Sequence, residues 1–351
     1  MKRNPAVGRG LLVALLALVV GACAHLTQPA EPLAAGSVLE ALRFDPELEQ
    51  RVLALDPEHI SDAEVRGTLA KVPAPYLVLL HGGIYPVYLA MTSFAHFLKG
   101  MGYPDRAIRR TDDVHDNVYS YSPYQDSREL AGLIAWHYER EGVRPMMIGH
   151  SQGGVQAVKV LYDFAGWHGD LQVWNPVADG FEDRTTIVDP LTGATRPVVG
   201  LILPYTSSVA AGGVMLLLPN QWSMMGRLSH IPDTVEDFTG FTVGVDFIAL
   251  AFPGMRGDYV ADGTAKVRNV VLPYWYYHPL VPMTSQLAEM EAMRDWINAY
   301  APGRSDLEET LPPGPVYNAL WAADVWYSIK KHWCLEAQRL IRARRAALAK
   351  P

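Results

Sequence analysis

Gly149-His150-Ser151-Gln152-Gly153 sets one hydroxyl midway between two glycines. Met146–Ile148, just before it, is a short apolar run that reads as a buried strand. Val155–Phe164, just after it, carries Val155, Val158 and Leu161 on one face and reads as a helix. A serine on such a strand-to-helix turn is held in a strained backbone conformation. Side chains two residues before and two after would collide where strand and helix converge, which calls for glycine at 149 and 153. The hydroxyl then stands clear of the backbone with a helix N-terminus beneath it. Ser151 is therefore a candidate nucleophile, set against the plainer reading of a passive serine in a glycine-rich turn. A serine hydroxyl attacks poorly near neutral pH on its own. It needs an imidazole to take its proton and return it to the leaving group, and a buried carboxylate to fix the imidazole's tautomer.

The elements that must hold these groups alternate along the chain. Tyr76–Leu80 reads as an apolar strand ending at His81-Gly82-Gly83. Tyr88–Leu98 reads as a helix, Asn117–Tyr121 as a short strand and Ser127–Glu141 as an amphipathic helix. After the turn at Ser151 and its helix, Leu171–Trp174 reads as the next strand. Strands separated by helices predict an α/β class with a mostly parallel sheet. Asn175–Gly240 breaks the alternation with Gly193, Pro197, Pro204, Gly212-Gly213 and Pro219. Phe241–Val245 alternates apolar residues and ends at Asp246. Val267–Leu272 is the last clear strand, followed by Pro273-Tyr274-Trp275-Tyr276-Tyr277-His278-Pro279 and a helix over Ser285–Tyr300.

Gly149-His150-Ser151-Gln152-Gly153-Gly154, together with Leu79-Leu80-His81-Gly82-Gly83, resembles the α/β-hydrolase superfamily and its bacterial serine esterase and lipase branch. The resemblance covers residues of about 73–304. It implies the α/β-hydrolase fold, with helices on both faces of the sheet and a cap or lid insertion after the sixth strand, here about residues 181–240. It also implies the chain order Ser151, acid, His278, with the base in the loop after the last strand. Asp246 is the first choice of acid, and Asp179, just beyond the sixth strand, is its main rival. Asp258 and Asp262 are weaker ones. The backbone N–H of Gln152 and that of Gly83 or Ile84 are the implied oxyanion donors. His81 is expected to orient its loop and His150 to shape the wall. Val198–Leu203 and Val214–Leu218, with Trp222, Met224 and Met225, either line an acyl pocket or form the cap's own core.

The 351 residues are 49% apolar and carry a net charge of −7 without a long single-sign block, which leaves no pattern for nucleic acid. Cys23 and Cys334 form no ligand cluster, so no structural metal and no cofactor are expected. Lys2, Arg3 and Arg9 precede the apolar run Leu11–Val20, too short to span a bilayer comfortably and shaped like a secretory leader. The run ends in Val20-Gly21-Ala22-Cys23, which resembles a bacterial lipobox. The resemblance implies cleavage after residue 22, lipidation of Cys23 and, with Ala24 next, sorting to the outer membrane. An ordinary leader with a stray cysteine is the alternative. Residues 23–36 read as a tether. Residues 37–72 read as two or three short helices, begun by Asp45-Pro46-Glu47, by Asp56-Pro57-Glu58 and by the capping box at Ser61-Asp62-Ala63-Glu64. Residues 305–351 form an extension in which Val316–Lys350 is helical. Trp321, Val325, Ile329, Trp333 and Ala337 line its apolar face and Lys and Arg the other. That helix either docks on the main domain or lies against anionic lipid. The expected activity is cleavage of carboxylic esters, of lipid-like or other apolar acyl groups, at the cell envelope. Acyl transfer or thioester cleavage by the same residues, or a non-catalytic binding scaffold, are the alternatives.

Overall fold

Five strands carry the molecule. In chain order they are β1 (Leu77–Leu80), β2 (Met146–His150), β3 (Leu203–Val209), β4 (Val235–Val243) and β5 (Lys266–Leu272). They lie in that same order across one sheet, and every pairing is parallel. The computed structural model describes residues 38–39, 42–111, 118–253, 257–303, 310–312, 314 and 317–349, all within the unit Leu33–Pro351. The leader, Cys23, the tether over residues 23–36 and Asn117, the first residue of the expected strand Asn117–Tyr121, lie outside the described residues. Tyr121 itself makes a parallel bridge to Leu80 at the outer side of β1.

Alternation along the strands splits the core in two, because successive side chains point to opposite faces. Leu77 and Leu79 join one apolar cluster, and Val78 and Leu80 join the other. The first cluster is covered by α3 (Tyr85–Gly100), by α6 (Ser285–Glu289) and α7 (Glu291–Ala299), and by α8 (Ala319–Leu348). The short α1 (Pro46–Ala54) and α2 (Asp62–Gly67) pack there too. The second cluster is covered by α4 (Ser127–Glu141) and α5 (Gln152–Phe164). Helices therefore flank both faces. Their ends follow from local chemistry. Asp45 accepts from the Glu47 N–H ahead of Pro46, Ser61 and Glu64 form a capping box, and α4 starts at Asp126 and stops at Gly142 with φ 74°.

Several expected elements differ. Leu171–Trp174 does not enter the sheet. Trp174–Asn175 pairs antiparallel with Gly180–Phe181 in a hairpin of its own. The expected insertion over residues 181–240 is interrupted by β3, which is buried along its whole length in the middle of the sheet, and by the first part of β4. Pro204 and the hydroxyls of Thr206, Ser207 and Ser208 hid this strand from a search for apolar runs. What rises above the sheet between β3 and β4 is shorter. It contains two 3-10 turns, Gly213–Leu217 and Pro219–Met224, whose Met215 and Met224 reach the second core cluster. Asp56-Pro57-Glu58 makes a turn rather than a helix start, with Asp56 accepting from Glu58 N–H and pairing with His59. The helix after His278 is two pieces, α6 and α7. The C-terminal helix is one piece of 30 residues. Its apolar face, Trp321, Val325, Ile329, Trp333 and Ala337, is buried in the first cluster, as docking requires.

Candidate active site

Ser151 follows the last residue of β2 and precedes the first of α5, with φ 57° and ψ −125°. Backbone held there costs roughly 1–3 kcal/mol and persists only where the surroundings over-determine it. Here they do. The Ser151 N–H donates to the Val209 carbonyl of β3 at 2.8 Å, and its own carbonyl accepts from Gly154 at 2.9 Å. A Cβ on Gly149 would sit 2.4 Å from the Gly153 carbonyl oxygen, and one on Gly153 would sit 2.2 Å from that of Leu80. The flanking glycines are therefore demanded by the convergence of β1, β2 and α5.

Ser151 Oγ lies 2.8 Å from His278 Nε2, and His278 Nδ1 lies 2.6 Å from Asp246 Oδ2. All three side chains are buried. His278 opens a single 3-10 turn, His278–Leu280, beyond β5, and Asp246 sits just beyond β4. Parallel strands deliver all three to one edge of the sheet. Asp246 Oδ1 accepts from the N–H groups of Ile248 and Ala249, both at 2.9 Å, inside a loop closed by Asp246 and Ala251. Burial alone would raise the Asp246 pKa. The His278 hydrogen bond and the two N–H groups outweigh it and hold the carboxyl below its ordinary value. The acid is thus charged when the imidazole needs it.

The other acids stand elsewhere. Asp179 is exposed at the turn of the Trp174 hairpin, with φ 50°. Asp258 is exposed, and Asp262 pairs with His230 at 2.9 Å. His81 turns its Nδ1 to the Gly82 carbonyl at 2.6 Å and its ring edge-on to Tyr88. Burial lowers its pKa against that hydrogen bond.

The glycine loop after β1 presses on Ser151. A Cβ on Gly82 would lie 3.0 Å from Ser151 Cβ and 3.4 Å from its Oγ, and one on Gly83 would lie 2.3 Å from Gln152 Oε1. Gln152 is the first residue of α5, so its backbone N–H has no partner within the helix. Ile84 begins the step into α3 and its side chain is exposed. Two features escaped the sequence. The Gln152 side chain is buried, and its amide has no hydrogen-bond partner among the described residues. His150 does more than shape a wall. Its Nε2–H donates to the His278 backbone carbonyl at 2.7 Å, and burial followed by the His278 imidazole pushes its pKa down to about 3. A neutral, fully buried ring therefore braces the turn that carries His278. The only sequence signal was the adjacency of His150 to Ser151.

Among the described residues no group of His, Cys, Asp and Glu is arranged to hold a metal ion. Cys334 is free and buried, and burial pushes its thiol up to about 12. Comparison of the chain with protein-family models, curated proteins and solved structures finds no match.

Proposed function

We propose that the chain is a serine hydrolase of the α/β-hydrolase type, cleaving carboxylic esters of apolar acyl groups through an acyl-enzyme. The observation that carries this reading is the continuous relay from Ser151 Oγ through His278 to Asp246, on a strained turn at a helix N-terminus. His278 Nε2 takes the hydroxyl proton as Oγ attacks the ester carbonyl, and returns it to the departing alkoxide. Asp246 steadies the imidazolium from Nδ1. The developing oxyanion falls to the Gln152 N–H and to that of Gly83 or Ile84. Two such donors contribute several kcal/mol of barrier lowering. Water, activated by the same imidazole, then releases the acid. An alcohol or thiol acceptor in place of water would make the step an acyl transfer. The apolar acyl preference rests on Leu217, Trp222 and Met225, exposed above the same sheet edge. From Val20-Gly21-Ala22-Cys23 we propose further that the enzyme is a lipid-anchored envelope protein.

Hydrolysis of p-nitrophenyl esters tests the reading. The wild type should turn over. Ser151→Ala should lose at least a thousandfold in kcat with an unchanged circular dichroism spectrum. Full activity in the variant would refute it. No turnover in either would leave the fold as a binding scaffold.

A further inference from the structure

Because the five strands are parallel, the chain leaves all of them at the edge where Ser151 sits. One exit is the Ser151 turn itself. The other four begin with residues 81–88, 210–226, 244–253 and 273–284, and the second of these runs on into Arg227, whose guanidinium lies over the Trp167 ring. Charged residues make up 19% of the chain, yet these four stretches hold a single one, the buried Asp246. In its place they expose large apolar and aromatic side chains. Phe247 is 76% exposed, Tyr274 72% and Leu217 65%. Of the chain's nine tryptophans, the two that are exposed, Trp222 and Trp275, both stand here. The Trp222 indole N–H already donates to the Leu217 carbonyl at 2.8 Å, so its ring needs no water.

We propose that this rim docks on a neutral, zwitterionic lipid surface, so that Ser151 meets its ester at the membrane. The substrate half of the inference rests on the hydrolase reading above, and the docking half does not. Tyr and Trp settle at the lipid–water boundary, where one end of the ring is apolar and the other wet. Anionic membranes are recognised by Lys and Arg, and these four stretches have neither. Protein interfaces ring their apolar centre with a polar rim that includes charged side chains, and these four stretches carry no exposed charge. A second copy seated on the rim would also close the way to Ser151. The remaining surface is one that supplies apolar esters and bears no net charge.

The experiment is tryptophan fluorescence of the full chain with vesicles of brominated phosphatidylcholine. Quenching is expected in the wild type, equally at low and at high salt. It should be largely lost in the double variant Trp222→Phe/Trp275→Phe, which keeps the rim apolar and removes only the reporters. No quenching, quenching undiminished in that variant, or quenching only when anionic lipid is added would overturn the proposal. A concentration-dependent dimer without quenching would assign the rim to a second copy instead. As a second arm, Tyr274→Asp/Trp275→Asp should lower hydrolysis of a vesicle-embedded ester at least tenfold and leave a soluble short-chain ester unchanged. Equal loss on both substrates would count against docking. Absent turnover of the soluble ester by the wild type would count against the hydrolase reading alone, and the quenching result would stand on its own.

Discussion

At Asp246 the two carboxylate oxygens have separate tasks. Oδ2 faces the imidazole, and Oδ1 is fixed by the N–H groups of Ile248 and Ala249. An amide in its place would keep the shape but present a neutral group to the imidazolium formed during attack. Asp246→Asn should therefore lower kcat by about 10⁴ with KM little changed, the loss that follows when a triad carboxylate is neutralised in place. Asp179→Asn, at an exposed hairpin turn, should leave the kinetics of ester hydrolysis within about twofold. Reversed effects would move the acid to Asp179. Ser151, His278 and Asp246 were readable as candidates because each lies in the segment that follows a strand, and the strands before them kept an apolar pattern. The bracing by His150 was not readable. It joins residues 128 positions apart, and nothing local in either segment records the pairing.

Among the elements, β2 and α8 depend on each other. Arg144, just before β2, sends its backbone N–H, Nε and Nη2 to Glu336 of α8, and its Nη1 to Glu236 of β4. Glu336 is buried, and without Arg144 only the Arg339 guanidinium at 2.8 Å would remain to offset its charge beneath the sheet. Arg144→Met should cost about 3–5 kcal/mol in urea unfolding. Burial raises the Glu336 pKa, but Arg144 outweighs it, and the folded value lies below the ordinary 4.5. A carboxyl with a depressed folded pKa adds stability above its unfolded pKa and loses that contribution as pH falls through the folded one. The wild type should therefore weaken as pH drops below about 4.5, and Glu336→Gln should start less stable and weaken less over that range. An identical pH slope in the two proteins would contradict this. The elements also show where sequence patterns stop. The apolar face of α8 repeats over enough turns to be unmistakable. In β3, Thr206, Ser207 and Ser208 lie buried in the centre of the sheet, and burial of polar strand residues leaves no periodic trace. Leu171–Trp174 has a strand's composition, but composition does not name the partner, which is a local hairpin.

At the scale of the whole molecule, five parallel strands gather Ser151, His278, Asp246 and a rim poor in charge at one sheet edge. The long C-terminal helix closes the opposite core. Among the described residues no helix is long and apolar enough to cross a membrane. The membrane attachment proposed above rests on the segment around Cys23 and on the rim. Cys23→Ser should release the protein from the membrane fraction or block cleavage of its leader, read by fractionation and mass spectrometry. An unmodified Cys23 inside a longer mature chain would refute lipidation. The parallel pairing was legible from the alternation of strands and helices, and the helices on both faces came only with the family resemblance. The length and place of the insertion were not, because they depend on which segments join the sheet, and that is decided by long-range pairing.

The central claim is that Ser151 is activated by its neighbours in the folded chain. A fluorophosphonate probe tests this most directly, since it bonds to a serine only where the hydroxyl has been made nucleophilic. Peptide mass spectrometry should find the adduct on Ser151 of the wild type, none on Ser151→Ala, and labelling slowed by orders of magnitude in His278→Ala. An unlabelled Ser151 in the folded wild type, or labelling at the same rate without His278, would contradict the account.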